Sequence, residues 1–308
     1  MKRKTLIILS AVFALMVAAS AGLILSSRQK PLPRLCAGKA KQIAALEFSY
    51  PGGKTAKFIK TDKGWEIASP ISYKADEREL ASAVSALCGL RLSETLSASP
   101  ETARMFGLNP ENGVGIALSG ADNKKIAEFT AGKEGLSAEA FFIKLPSGEI
   151  KEASGLARAA LARPFTEWLD KTVFSAPMNK ITSVAWHKGK DNWRVYAENG
   201  KWLLESAGKK TAIPAEKYQG KIGPLLMSLA DLRAERVLPS SGEYAPKTAF
   251  KEDFSLDIKA DTPAAAIRIG AADSSGGRAA LLKGENRVTF IVPDWRAADL
   301  LLNPSGIK

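Results

Sequence analysis

The chain is sparing with residues that do chemistry. His187 is the only histidine among 308 residues, so a Ser-His-Asp triad or a multi-histidine metal site would have to be built on it. It stands in a strand-like, lysine-rich run, which predicts an exposed strand end. Ser206-Ala207-Gly208-Lys209 spells S-x-x-K, the pattern in which a lysine activates a serine nucleophile at a helix start. Here it lies between Trp202 and Pro214, where a turn is expected, and no S-D-N companion occurs. Gly113-Val114-Gly115 lacks the third glycine and the strand–helix setting of a dinucleotide loop, so it reads as a turn. The acids of KEDFSLDIKAD (251–261) alternate along a strand and read as solvated. Hydrolysis by a carboxylate pair needs two acids converging in a cleft, which spacing does not reveal. Cys36 and Cys88 are the only cysteines, and without a C-x-x-C neither a zinc site nor a redox motif has its ligands. We therefore assign no catalytic, cofactor-binding or metal-ligating residue, and expect a non-enzymatic protein without a cofactor.

The elements that would carry these residues follow from periodicity. Gln42–Tyr50, Lys54–Thr61 and Gly64–Ala68 read as strands, the first two joined by the Pro51-Gly52-Gly53 turn, with Trp65 and Ile67 on one face. Asp76 is an expected helix N-cap, and Glu79 three residues on would complete a capping box. Leu80, Val84, Leu87 and Cys88 then give one apolar stripe. A short helix is expected over Ser99–Phe106, with Pro100 at its first position and Gly107 as its stop. Strands follow at Gly113–Leu118, Lys125–Ala131 and Glu139–Leu145, and a helical region over Ser154–Val173 closes the first half.

The second half repeats the order. Ser183–His187, Trp193–Ala197 and Lys201–Glu205 read as strands, and Tyr218, Ile222, Leu225, Leu226, Leu229 and Leu232 form a helical stripe. Gly220, Gly223 and Pro224 predict a late start or a bend in that helix. Ser255–Ile258, Ala265–Gly270, Ala279–Lys283 and Arg287–Val292 are strand-like, and Asp294–Leu302 is an expected closing helix. Registration supports a duplication: Trp65 to Trp202 is 137 residues, Gly132 to Gly270 and Ile150 to Val288 are each 138, and Leu87 to Leu229 is 142. Trp65 and Trp202 could stack a ligand, but their equivalent place in both copies predicts core packing. Trp168, Trp186, Trp193 and Trp295 stay unassigned, one of them a candidate for an interface. The expected fold is α+β: two similar tandem modules, each a mainly antiparallel sheet packed with helices, after an N-terminal transmembrane helix. The expected divisions are 1–30, 31–175 and 176–308.

Apolar residues make up 45% of the chain and charged ones 25%, ordinary for a packed globular protein. The formal charge of +12 would suit a nucleic-acid binder. Its distribution argues otherwise: Lys2, Arg3, Lys4, Arg28, Lys30 and Arg34 stand before residue 35 with no acid among them, and the rest is of mixed sign. No basic helix or aromatic-basic platform appears, so no nucleic-acid partner is expected. Thr5–Leu25 is uncharged and long enough to span a bilayer. A cleaved signal peptide is the other reading, with Lys2-Arg3-Lys4 as its basic start and Ala19-Ser20-Ala21 before the cut. Apolar residues resume at Leu23-Ile24-Leu25, which favours a retained anchor. The expected location is the inner (cytoplasmic) membrane, single-pass, with an extracytoplasmic, periplasmic body. There Cys36 and Cys88 could form a disulfide, although Cys88 on an apolar stripe equally suits a buried thiol.

The sequence resembles the tandem extracytoplasmic modules called "domain of unknown function 4340". The residues that carry the likeness are Gly64-Trp65-Glu66-Ile67, Pro70, Ala75-Asp76, the Leu87/Leu90 helix end, Phe106-Gly107-Leu108-Asn109-Pro110, and Leu169-Asp170-Lys171-Thr172-Val173-Phe174. The second half departs, with Tyr244-Ala245-Pro246 in place of Gly-Leu-x-Pro and Asn303-Pro304 in place of the Asp-Lys run. Such modules occur in bacterial proteins associated with ABC-type transport and gliding motility. The resemblance therefore implies an accessory or scaffold protein of a transport or envelope complex, with a membrane-complex protein as partner. A binding module for an anionic envelope polymer or lipid surface, motivated by the basic collar, is the alternative, and a hydrolase of unrecognised type a third.

Overall fold

The computed structural model describes residues 32–307 except 37, 262, 263 and 275, together with 13, 16 and 17. The expected anchor Thr5–Leu25 lies outside the described residues save for Phe13, Met16 and Val17. Among the described residues no helix is long and apolar enough to cross a membrane.

Period-two patterning builds the first sheet. In β1 (Ile43–Ser49) Leu46 and Phe48 are buried while Glu47 and Ser49 turn to the other face. β2 (Thr55–Thr61), β3 (Gly64–Ser69) and β4 (Tyr73–Lys74) continue outward from it as a meander. Helix α1 (Glu77–Gly89) then crosses to the far edge, β5 (Arg91–Leu92), followed by the short α2 (Pro100–Met105). β6 (Val114–Gly120), β7 (Lys125–Glu134), β8 (Ala140–Lys144) and β9 (Ile150–Ser154) complete a nine-stranded sheet of order β4-β3-β2-β1-β6-β7-β8-β9-β5. Every pairing in it is antiparallel.

The second half builds the same sheet. β11 (Ile181–Lys188), β12 (Asp191–Glu198), β13 (Lys201–Ser206) and β14 (Lys209–Ala212) form its meander. The helical segment α3 (Ala215–Lys217) runs through a π-turn at Tyr218–Ile222 into α4 (Gly223–Ala230), so the expected bend is a wider helical turn at Gly220 and before Pro224. With β16 (Arg236–Pro239), β17 (Glu252–Ala260), β18 (Ala265–Ala272), β19 (Gly277–Leu282) and β20 (Val288–Pro293), the order is β14-β13-β12-β11-β17-β18-β19-β20-β16, strand for strand that of the first sheet. Even the bulges recur. One interrupts β1/β6 after Ile43 and β11/β17 after Ile181; another interrupts β7/β8 after Ala131 and β18/β19 after Ile269. A bulge turns the faces of a strand by one residue, so its recurrence at equivalent places marks one module built twice.

Helices cover one face of each sheet. Leu80, Val84, Leu87 and Cys88 of α1 are buried against the first, and Leu225, Leu226 and Leu229 of α4 against the second. The closing helix α5 (Asp294–Leu300) adds Ala297 and Leu300, and the Leu300 carbonyl accepts the indole N–H of fully buried Trp186 at 2.7 Å. Burying a large aromatic with its one polar atom satisfied gains its full apolar transfer, about 25 cal/mol per Å2, without a desolvation cost.

A two-stranded ladder joins the halves: β10 (Thr172–Ser175) pairs with β15 (Asp231–Arg233). The strand that ends the expected first module thus pairs with the second half. The first half uses the same device on itself. Leu35 N–H donates to Leu90 O (2.9 Å), Cys36 N–H to Cys88 O (3.3 Å) and Leu92 N–H to Pro33 O (2.9 Å). Cys36 and Cys88 form a disulfide there. At the matching rung of the second half, Ala176 N–H donates to Ala230 O (3.1 Å), and two alanines stand where the cystine does.

Three expectations are corrected. Ser154–Val173 is not a helical region: β9 ends at Ser154, Arg158–Leu161 and Phe165–Trp168 are single 3-10 turns, and β10 begins at Thr172. Gly155, at φ +109°, and Pro164 interrupt the helical run, and the backbone there pairs with strands instead. Trp65 is 5% exposed, but Trp202 is only partly buried, tilted against Tyr218 near the sheet's edge. Asp76 caps α1, accepting from the amides of Arg78 and Glu79, yet the capping box stays open. Glu79 meets Arg163 (3.1 Å), and Asp76 N–H goes to Trp168 O (2.8 Å).

Candidate functional site

The two halves enclose a cleft of about 860 Å3 along the outer edge of β4. Its floor follows from the way that edge is closed. Ala75 N–H donates inward to Trp65 O (3.0 Å), so ladder alternation turns the polar backbone groups of Lys74 and Ser72 outward. Asp170 N–H reaches Lys74 O at 3.0 Å, and the Arg287 guanidinium, arriving from the second module, donates to Ser72 O at 3.0 Å. Arg287 also lies over the Tyr73 ring, 5.5 Å from its centroid. Burial, with the nearby Asp170 charge, pushes the Tyr73 hydroxyl pKa up, and it stays neutral. Arg233 Nη2 meets Asp76 Oδ2 at 3.2 Å, so one carboxylate both caps α1 and holds the second half. The lining carries both signs with acids in excess: Lys63 and Arg233 face the space together with Glu66, Glu77, Asp170 and Asp231.

A second gap between the halves, about 400 Å3, is aromatic. Tyr50, Phe165 and Tyr244 line it, Phe165 and Tyr244 edge to face at 5.0 Å, with the Lys54–Glu243 ion pair (2.7 Å) at its rim.

His187 lies at the rim of a third cavity, about 620 Å3, on the sheet face away from the helices. Nδ1 contacts Asn192 Oδ1 at 2.7 Å and Nε2 contacts Asp257 Oδ2 at 3.1 Å. Both ring nitrogens are thereby engaged, and neither is left to take a proton from a hydroxyl. The hydrogen bond to Asn192, opposed by partial burial and helped by Asp257, holds the imidazole pKa above its usual value. In the first sheet, Ser49 occupies the place of His187, and Ala117 that of Asp257. The side chain is 46% exposed, in keeping with the exposed strand end expected for it.

The acids of 251–261 are mostly exposed, as expected, and each is also paired. Glu252 meets Arg268 (2.7 Å), Asp257 meets His187 and Asp261 meets Lys180 (2.8 Å). Burial works to raise the Asp253 pKa, but hydrogen bonds from Arg278 and Lys188 outweigh it and hold the carboxyl below its usual range. Their partners lie on other strands or, for Lys180, in the turn before β11, beyond any local pattern. Ser206 and Lys209 face each other across a two-residue hairpin, with Ala207 (φ +49°) and Gly208 (φ +74°) as its left-handed corners. That is the turn expected there, not a helix start. Gly113 accordingly closes a turn on Asn109 O (2.8 Å) just before β6. Beside the hairpin, Lys188, Lys190, Asn192, Ser206 and Asn303 line a groove of about 670 Å3, and the indole N–H of Trp193 is buried there without a hydrogen-bond partner. Of the unassigned tryptophans, Trp168, Trp186 and Trp193 are buried and Trp295 is 64% exposed.

Fold and junction together define a two-sheet, mainly antiparallel protein with a charged cleft between repeated halves. The chain belongs to the family described as "Domain of unknown function (DUF4340)", whose model matches residues 65–257, more than half of its length. The match opens in β3 at Trp65 and closes in β17 at Asp257, so it takes in the β10/β15 junction and both walls of the cleft. No curated protein and no solved structure matches the chain.

Proposed function

We propose that this protein is a membrane-anchored, extracytoplasmic, non-enzymatic accessory or scaffold protein of a transport or envelope complex. In this reading its paired modules offer the cleft between them to a protein partner. The observation that carries the reading is the cleft itself: both halves wall it, backbone hydrogen bonds fix its floor, and charges of both signs, acids in excess, line it. Small-molecule sites are mostly apolar with a few polar anchors. A densely charged lining of mixed sign suits a protein surface, where complementarity sets partner and register. The Cys36–Cys88 disulfide supports an oxidising compartment, and the uncharged Thr5–Leu25 run supports a tether. A tether confines the body to two dimensions and raises its effective concentration near other membrane proteins, so modest contacts suffice. The family's resemblance-based setting points to an ABC-type transporter or a gliding-motility complex as the assembly.

Photo-crosslinking from the cleft of the full-length chain, with a photoreactive residue in place of Lys63 or Glu66, tests this in native membranes. Recovery of a transporter or envelope-complex protein is the expected result. Turnover of a small substrate by the purified chain, abolished by one substitution that leaves the fold intact, would overturn it.

A further inference from the structure

The outer edge of the meander is closed in one module and open in the other. In the first, Asp170 N–H and Arg287 satisfy the outward carbonyls of Lys74 and Ser72, and Asp76 N–H finds Trp168 O. In the second, Ile213 N–H donates to Trp202 O at 2.9 Å, as Ala75 does to Trp65. The same alternation therefore turns the amides and carbonyls of Lys210 and Ala212 outward. These two residues hold the places of Ser72 and Lys74, yet among the described residues nothing bonds their outward groups. All four residues of β14 are exposed. The strand is also longer than its counterpart, four ladder pairs against two.

We propose that the β14 edge receives an extended, acidic segment of a protein partner, added as a further strand of the second sheet. The first module supplies the geometric precedent, since Trp168–Asp170 lies along the equivalent edge in that way, bridging Ala75 to Leu169. Charge selects the occupant. Lys201, Lys209 and Lys210 are exposed on this hairpin with no ion pair among the described residues; the Glu205 opposite Lys210 is taken by Arg194 at 2.7 Å, and Lys210 Nζ lies 5.9 Å from the Tyr196 ring centroid. Lysines on an edge repel another basic strand and so protect it from self-association, while an acidic strand is drawn to them. A second copy of this chain is the wrong occupant: the segment that stands before the first module as Trp168–Asp170 stands before the second carries Arg28 and Lys30. The backbone supplies the affinity and the lysines the choice of partner.

This inference rests on the partner-binding reading, and the test separates the two. Full-length protein in nanodiscs is titrated with a fluorescent decapeptide alternating glutamate and valine, and with one alternating lysine and valine. The glutamate peptide should bind and slow amide exchange over residues 207–214, and the lysine peptide should not bind. The double variant Lys209→Glu/Lys210→Glu should weaken binding about tenfold, the scale of two exposed charge contacts. Ala212→Pro removes an outward N–H that the hairpin does not use and should abolish binding with the hairpin retained. Equal binding of the two peptides, no binding of the glutamate peptide, or binding that survives both variants overturns the proposal. A photoreactive residue at Thr211 gives the second arm. A membrane protein captured from the cleft but not from Thr211 sinks the edge proposal alone; capture from neither position sinks the accessory reading with it.

Discussion

The two modules share a strand order and two bulges, but they are held together by different means. The first is tied covalently, by Cys36–Cys88, and its β4 edge is closed by the linker and Arg287. The second has Ala176 and Ala230 at the matching rung and leaves its β14 edge free among the described residues. Where the first has Asp76, the second has Pro214, which can neither donate an amide nor cap a helix with a side chain. A repeated fold thus conserves what fills the core and varies what meets the outside. The first module's meander edge is closed, and the second's is open among the described residues.

That comparison can be broken most directly at the tryptophans. Trp65→Ala should lower stability by about 3–5 kcal/mol, as for a buried large aromatic. Trp202→Ala, at a partly buried edge, should cost clearly less, about 1–2 kcal/mol. Urea unfolding of the two variants checks this, and equal losses would show that the modules pack alike. Next comes the covalent tie. Replacing both Cys36 and Cys88 by alanine, which recreates the second module's rung, should cost about 2–4 kcal/mol, since the bridge closes a long loop of the unfolded chain. A thermal shift on reduction of the wild type, absent in the double variant, is the expected signature.

Asp76→Ala probes the junction and should cost about 1–2 kcal/mol, chiefly the lost cap, with a smaller share from the part-buried pair with Arg233. Its distinctive readout is faster amide exchange in both α1 and β15. Confinement of the change to α1 would show that Arg233 does not couple the halves.

The smallest effect concerns pH. Because the folded pKa of His187 is raised, its stabilising share is fully present below the unfolded value and is lost as pH rises through the folded one. The side chain is well exposed, so the share is only a few tenths of a kcal/mol. The wild type should lose slightly more melting temperature than His187→Gln between pH 5.5 and pH 8.5. Identical slopes would show that Asn192 and Asp257 do not favour the charged ring.

Much of the architecture was legible because it is locally encoded. Alternation along β1, β6 and β11, the Asp76 cap, Pro100 at the first position of α2 and the helical stripe of α1 are short-range patterns that need no partner to be read. So is the 138-residue recurrence, which foretold a second module, and the structure adds that its strand order and two of its bulges are the same. The candidate surfaces were far less legible. His187 meets Asp257 from 70 residues away and Arg287 reaches Ser72 from 215; no spacing rule connects such pairs.

The sequence by itself determined the α+β class, the duplication, the helix starts and the family to which the chain belongs. Only the tertiary structure decided that Cys36 and Cys88 are joined, that Trp65 is buried more deeply than Trp202, that residues 154–173 follow the sheets instead of coiling, and that one meander edge is closed while its twin stays open. The physical reason is one of range. Periodicity and capping are set by neighbours within a turn or a pleat, whereas burial and edge pairing depend on which distant backbone arrives first with a matching donor and acceptor.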